Sequence, residues 1–226
     1  MRSLIVAVVV GLAACAPLPR GIGLKPDPDR DYRVEGLASW LGRFLDALQL
    51  DRVTLVAHSM GATIGLLYAL EHPERIEKLV VSNPVVVGAT AFSRRDRLCM
   101  KPGIRRLLYL LARIGPIRRW VSKNFTSVGP LEEDLAKDVI RGTYQSMFDS
   151  LLSGAKADLR GRLASLSVPT LSIGTDLDHL VAPEQYELVP AQQKVCIREC
   201  GHIPMIERPA EFNRVLNEFL SAPAHG

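Results

Sequence analysis

The stretch from Val53 to Ala62, VTLVAHSMGA, is a run of β-branched and aliphatic residues that stops at a histidine and a serine. A serine at the point where a buried strand turns straight into a helix can act as a nucleophile. The turn lifts its Oγ above the carboxyl edge of the sheet, where open α/β folds bind ligands. It also aims the free N–H groups of the helix N-terminus at any developing anion. Such a tight turn needs small residues two before and two after the serine, because strand and helix nearly touch there. Ala57 and Gly61 meet that need around Ser59. The competing reading is a serine that merely caps a buried strand. Nucleophilic use requires more of the chain, because a serine needs a base and the base needs a group that orients it.

The elements that would hold Ser59 are legible from apolar spacing. Leu37, Trp40, Leu41, Phe44, Leu45 and Leu48 recur at helical intervals. Val53 to Ala57 reads as a strand and Gly61 to Leu70 as a helix. Lys78 to Val81 is a second strand, ended by the breaker pair Asn83-Pro84. TLSIG after Pro169 is a third strand and QKVCIREC (193 to 200) a fourth. Ala210 to Leu220 closes the chain as a helix. Strands alternating with helices predict an α/β fold, a mostly parallel sheet with flanking helices. Residues 93–165 interrupt the alternation with a basic helical stretch, in which Leu107, Leu108, Leu110, Leu111 and Ile114 form one apolar block. This segment reads as an inserted helical cap, leaving 1–92 and 166–226 as the core.

RVTLVAHSMGA resembles the nucleophile elbow G-x-S-x-G of the α/β-hydrolase superfamily, with Ala57 replacing the first glycine. HPERIEKLVVSNP (72 to 84) resembles the helix end and strand that follow in that family. The family's order is serine, acid, histidine, and the resemblance supplies both partners. PTLSIGTDLDHLVAP (169 to 183) is similar to the strand that ends in the catalytic acid, and Leu180-Val181-Ala182-Pro183 implies Asp178 for that role. Asp176 is the alternative acid, since the interval from Gly174 to Asp178 is one residue longer than usual. CGHIPMIERPAEFNRVLNEFL (200 to 220) resembles the histidine loop and last helix, making His202 the base. The resemblance implies an esterase- or lipase-like serine hydrolase acting through an acyl-enzyme on Ser59, with the N–H of Met60 as one oxyanion donor and no cofactor. A serine rather than an aspartate at the elbow argues against dehalogenase and epoxide hydrolase chemistry. Carbon–carbon bond hydrolysis or acyl transfer to another acceptor would use the same three residues. Of the other histidines, His58 is expected to pack at the elbow, His72 and His225 to lie at the surface, and His179 to neighbour the acid.

The family's second oxyanion donor comes from a His-Gly loop after an early strand, and no His-Gly dipeptide precedes Ser59. APLPRGIGLKPDPDRDY (from Ala16) resembles the loop that follows the next strand. On this alignment the fold is N-terminally truncated, lacking its first three strands. The nucleophile strand is then expected to lack one neighbour and the site half of its oxyanion hole. Loss of one such donor typically costs about 10²–10³ in turnover, so a weakly active or inactive binding module is the second functional reading.

MRSLIVAVVVGLAAC has two readings. Leu4 to Val10 is the kind of continuous Val/Ile/Leu run that makes a buried parallel strand, which would suit a cytoplasmic protein. Alternatively, the short apolar run before Leu12-Ala13-Ala14-Cys15 resembles a lipoprotein signal with its cleavage box, which would place the chain in the cell envelope.

At 226 residues, with 47% hydrophobic and 23% charged residues, the chain can bury a sizeable core. Its net charge of +4 is uneven: residues 94–123 hold ten Lys/Arg against the single acid Asp96, so this segment is +9 and the rest −5. No zinc-finger spacing or aromatic-basic motif accompanies it, so nucleic acid is not the expected partner. A solvated helical face is the plain reading; contact with an anionic membrane surface is the alternative. The partner implied by the elbow is a small-molecule acyl substrate. Cys15, Cys99, Cys196 and Cys200 form no C-x-x-C pair. Cys196, Cys200 and His202 offer too few ligands for a closed zinc site, so no metal is expected.

Overall fold

The computed structural model describes residues 4–8, 31–123, 125–127, 129, 131–134, 136 and 144–223. Within them lies a parallel sheet in the order β1-β2-β3-β4-β5. The strands are β1 (Leu4–Val8), β2 (Val53–His58), β3 (Ile76–Ser82), β4 (Thr170–Thr175) and β5 (Gln193–Ile197). The helices are, in chain order, α1 (Val34–Ala47), α2 (Met60–Glu71), α3 (Gly88–Ala91), α4 (Arg94–Cys99), α5 (Pro102–Leu111), α6 (Gly115–Ser122), α7 (Tyr144–Gly154), α8 (Arg160–Leu163), α9 (Pro204–Glu207) and α10 (Pro209–Ser221).

The central strands β2, β3 and β4 are buried on both faces, which is why they read as largely apolar runs. Strand periodicity sorts their side chains. Val53, Leu55 and Ala57 of β2, with Leu79 and Val81 of β3, pack under α1 and α2. Val56, Val80, Leu171 and Ile173 face the other way, against Phe212, Val215 and Phe219 of α10. Each Leu, Ile or Phe withdrawn from water in these layers contributes about 1.5–3 kcal/mol before entropy is counted. Helix α2 is buried from Met60 through Ala69, as a helix apolar on all sides must be. It lies close on β2 because position 65 is glycine: a Cβ there would come within 3.2 Å of the Ala57 Cβ and of Leu55 Cδ2. Behind β3, the buried Lys78 Nζ donates to the carbonyls of Phe219, Leu220 and Ala222 at 3.1, 2.8 and 2.5 Å. A cation there satisfies carbonyls left open at the end of α10 and complements the helix dipole.

Three sequence expectations change. The nucleophile strand does not lack a neighbour: β1 pairs with β2 in parallel from Leu4↔Val53 to Val8↔Ala57, while β3 flanks its other side. Residues 4–8 therefore form a strand; Val9, Val10, the Leu12–Cys15 box and the loop from Ala16 to Arg30 lie outside the described residues. The strand expected to run to Cys200 stops at Ile197, because Glu199 adopts a φ of 51° and turns the chain. The apolar block on α5 is divided rather than packed as one: Leu107 and Leu110 are exposed, whereas Leu108 lines a cavity.

The stretches of chain before and after the basic segment meet at a neck. Gly88 N–H donates to the Ala157 carbonyl and Leu159 N–H to that of Val86, at 2.8 and 3.0 Å. Gln185, buried below it, accepts from the N–H groups of Val86 and Val87 at 3.0 and 2.8 Å.

Candidate active site

Four chain segments meet at the carboxyl edge of the sheet. Ser59 follows β2, Asn83 ends β3, Asp178 follows β4, and His202 follows β5. Ser59 has a φ of 55° and a ψ of −125°, a combination that L-residues seldom adopt. It is held there on both sides. Its N–H donates to the Ser82 carbonyl at 2.8 Å, and its own carbonyl accepts from Ala62 N–H at 2.9 Å in the first turn of α2.

Ser59, His202 and Asp178 are brought together. His202 Nε2 lies 2.9 Å from Ser59 Oγ, and Nδ1 lies 2.7 Å from Asp178 Oδ2. All three are buried. Asp178 Oδ1 accepts from the N–H groups of Leu180 and Val181 at 2.8 and 3.0 Å, and Asn83 Nδ2 donates to Oδ2 at 2.6 Å. Burial pushes the Asp178 carboxyl up, but the neighbouring His202 and the hydrogen bonds from His202, Asn83 and Val181 outweigh it and hold the group at about 2. With Asp178 ionised, Nδ1 of His202 carries the proton and donates to it. That tautomer leaves Nε2 to accept from the Ser59 hydroxyl. Asp176 sits elsewhere: its Oδ1 accepts from Cys200 N–H at 3.3 Å, and Oδ2 faces Arg198 Nη1 at 3.9 Å.

Three supporting residues carry roles that their sequence surroundings do not signal. Asn83, in sequence only a strand breaker, has a φ of 47° and also donates Nδ2 to Thr175 Oγ1 at 2.7 Å. It ties the ends of β3 and β4 to the acid. Glu207, in sequence only part of the histidine-loop pattern, sits beneath that loop. Its carboxylate accepts from the N–H groups of Ser127 and Gly201 at 2.7 and 3.2 Å. Gly201 admits this contact, since a Cβ would sit 2.7 Å from Ser127 N.

The third is His58, which does more than pack. Its Nε2 lies 2.6 Å from the His202 carbonyl oxygen, and the two imidazoles lie 4.7 Å apart, centroid to centroid. A carbonyl only accepts, so Nε2 carries a proton and donates it, and burial keeps the ring neutral. Burial first, and the charge of His202 second, lower the His58 pKa to about 3. An unfolded chain binds this proton below about pH 6.5 while the folded one resists it, so stability falls as pH drops through that interval. Between pH 6.5 and 4.5 the cost from His58 is expected to be roughly 2–3 kcal/mol. The Asp178 contribution is lost only below about pH 4 and leaves this window clear. Urea unfolding at pH 7 and 4.5 should therefore show the stability gap between wild type and His58→Gln narrowing by that amount. Equal slopes with pH in the two proteins would contradict the assignment.

Above Ser59 opens a cavity of about 600 Å³ whose walls include Met60, Phe92, Met100, Tyr109, Phe125 and Phe148. Arg95, Asp96 and the exposed His179 add polar groups to its lining. Cys196 and Cys200 are unpaired thiols, and burial pushes that of Cys200 up to about 12. Among the described residues no group of three or more His, Cys, Asp or Glu is arranged to hold a metal ion.

Residues 6–215 match a family model described as the alpha/beta hydrolase family. The chain is 29% identical over 205 residues to 3-oxoadipate enol-lactonase 2 of Acinetobacter baylyi, spanning 87% of this chain and 74% of that protein. It is 27% identical over 222 residues to 2-hydroxy-6-oxo-2,4-heptadienoate hydrolase of Pseudomonas putida, spanning 92% and 78%. The crystal structure of a hydrolase from Pseudomonas aeruginosa PA01 shares the fold with a TM-score of 0.69 at 23% identity, over 84% of this chain and 73% of that one.

Proposed function

The chain belongs to the alpha/beta hydrolase family, and from that premise we propose that it is a serine hydrolase cleaving an ester or related acyl substrate through an acyl-enzyme on Ser59. The observation that carries this reading is the unbroken hydrogen-bond path from Asp178 through His202 to Ser59, at the floor of an apolar cavity. In the first step Ser59 Oγ attacks the carbonyl carbon while His202 Nε2 takes its proton. The imidazolium so formed is stabilised by the buried carboxylate of Asp178. Met60 N–H, at the start of α2, donates to the carbonyl oxygen as it becomes an oxyanion. Collapse expels the leaving alcohol, which receives the proton from His202, and water then releases the acid by the same route in reverse. Residues 93–165, entering and leaving through the neck, act as a cap that sets substrate choice. The mainly apolar walls suit a hydrocarbon acyl group.

The enol-lactonase relative by its name opens an ester-type bond, and the heptadienoate relative is named only as a hydrolase. Ester cleavage is the reading advanced for this chain. The direct test is incubation of the folded protein with a fluorophosphonate probe, followed by peptide mapping. Stoichiometric labelling on Ser59 is expected, together with hydrolysis of p-nitrophenyl acetate. A folded protein left unlabelled would instead support the non-catalytic binding reading.

A further inference from the structure

Helix α5 wears its apolar stripe on the outside. Its inward face contributes Leu108 and Tyr109 to the cavity wall, with Ala112 just beyond its end. Ile104, Leu107 and Leu110, three residues apart, point outward and are 38%, 56% and 55% exposed, and Ile114, past the end of the helix, is 49% exposed. A helix of a globular domain ordinarily buries such a stripe, and contiguous exposed apolar surface marks an interaction site. Leu98 on α4 and Trp120 on α6, in the same basic stretch of chain, are 49% and 60% exposed.

The charge of this segment narrows the choice of partner. Of its ten cations, several are committed within the fold. Arg97 donates to the Ala89 carbonyl at 2.7 Å, Arg113 to the Tyr109 hydroxyl at 2.8 Å, and Arg118 pairs with Glu133. Arg94, Arg95, Lys101, Arg106, Arg119 and Lys123 have no ion pair or side-chain hydrogen bond among the described residues. Exposed aliphatic side chains flanked by free cations, with a tryptophan at the margin, match the boundary between acyl chains and anionic headgroups. An apolar protein partner would not call for six uncommitted positive charges.

We propose that the outward face of α4 to α6 docks on an anionic lipid bilayer. Arg95, Leu108 and Trp120 also line the cavity over Ser59, so a docked molecule opens its cavity toward the membrane surface. On the serine hydrolase reading, the substrate is then an acyl ester partitioned into that bilayer. Among the described residues no helix is long and apolar enough to cross a membrane, and the surface is one for lying on the bilayer.

The test is sedimentation of the full chain with vesicles of phosphatidylcholine alone or mixed equally with phosphatidylglycerol. Binding is expected only to the mixed vesicles at about 0.1 M salt. It should be largely lost at about 1 M, where the screening length falls from about 10 Å to about 3 Å. The double substitution Leu107→Glu and Leu110→Glu lies outside the cavity lining. It should lower vesicle partitioning at least about tenfold and leave hydrolysis of soluble p-nitrophenyl acetate unchanged. Failure to bind the mixed vesicles, or equal binding to both kinds, would overturn the proposal, as would a double variant that binds like wild type. So would a wild-type dimer in sedimentation equilibrium that the double variant dissolves, since a second copy would then cover this face. Vesicle binding by a protein that no fluorophosphonate labels would uphold the docking surface and remove the hydrolase reading.

Discussion

Ser59→Ala is expected to lower turnover of p-nitrophenyl esters by a factor on the order of 10⁴ to 10⁶, with folding intact. The reasoning starts from what the substitution removes. Only Oγ is lost, so the buried path of Asp178, His202 and Asn83 stays in place, and the backbone hydrogen bonds that hold the turn remain. His202 Nε2 loses its one hydroxyl partner, which costs about 1 kcal/mol of stability and leaves the circular dichroism spectrum unchanged. On the proposed serine hydrolase reading, what disappears is the atom that would form the acyl-enzyme, and no positional adjustment of the remaining groups replaces it. Residual rate would come from substrate binding and oxyanion stabilisation alone. Steady-state hydrolysis, with fluorophosphonate labelling as a parallel reading, measures the effect. Retention of more than a few per cent of wild-type turnover would place the nucleophile elsewhere.

The second large effect separates two aspartates that lie close together in sequence. Asp178→Asn should reduce turnover by about 10⁴, whereas Asp176→Asn should change it less than about threefold. An amide at position 178 can donate toward Nδ1 of His202, at the point where a carboxylate now lies at 2.7 Å. The ring would then keep its proton on Nε2 and present a donor, rather than an acceptor, to the Ser59 hydroxyl. Asp176 touches neither ring, and its partners are Cys200 N–H and the exposed Arg198. Comparing kcat for the two variants on one soluble ester decides between them. Equal losses would mean that the acid is shared or misassigned.

Much of this arrangement is legible in the amino-acid sequence, and the reason is local. The elbow around Ser59, the strand end before Asp178 and the loop around His202 each carry their information within about a dozen neighbouring residues. The family order then links them. Asn83 and His58 carry no such local signal. Asn83 acts on an acid 95 residues away, and His58 on a carbonyl 144 residues away. A polar residue at the carboxyl end of a buried strand is their shared mark, but spacing alone does not say which neighbour it meets. The same applies to β1: a Val/Ile/Leu run predicts burial between layers, whereas pairing beside β2 is a matter of register that only the assembled sheet fixes. On α5 the apolar positions are plain in the sequence. Which of them face water depends on what lies on either side of the helix.

The backbone at Ser59 has a wider consequence. A φ of 55° with a ψ of −125° in a residue bearing a Cβ costs about 1–3 kcal/mol. That is a sizeable fraction of the stability of an ordinary domain. The molecule would rest more comfortably with glycine at this position. Laboratory evolution that rewarded heat tolerance alone would thus drift toward discarding the serine on which the proposed acyl-enzyme depends. Any hardened descendant of this protein must be asked to work as well as to survive.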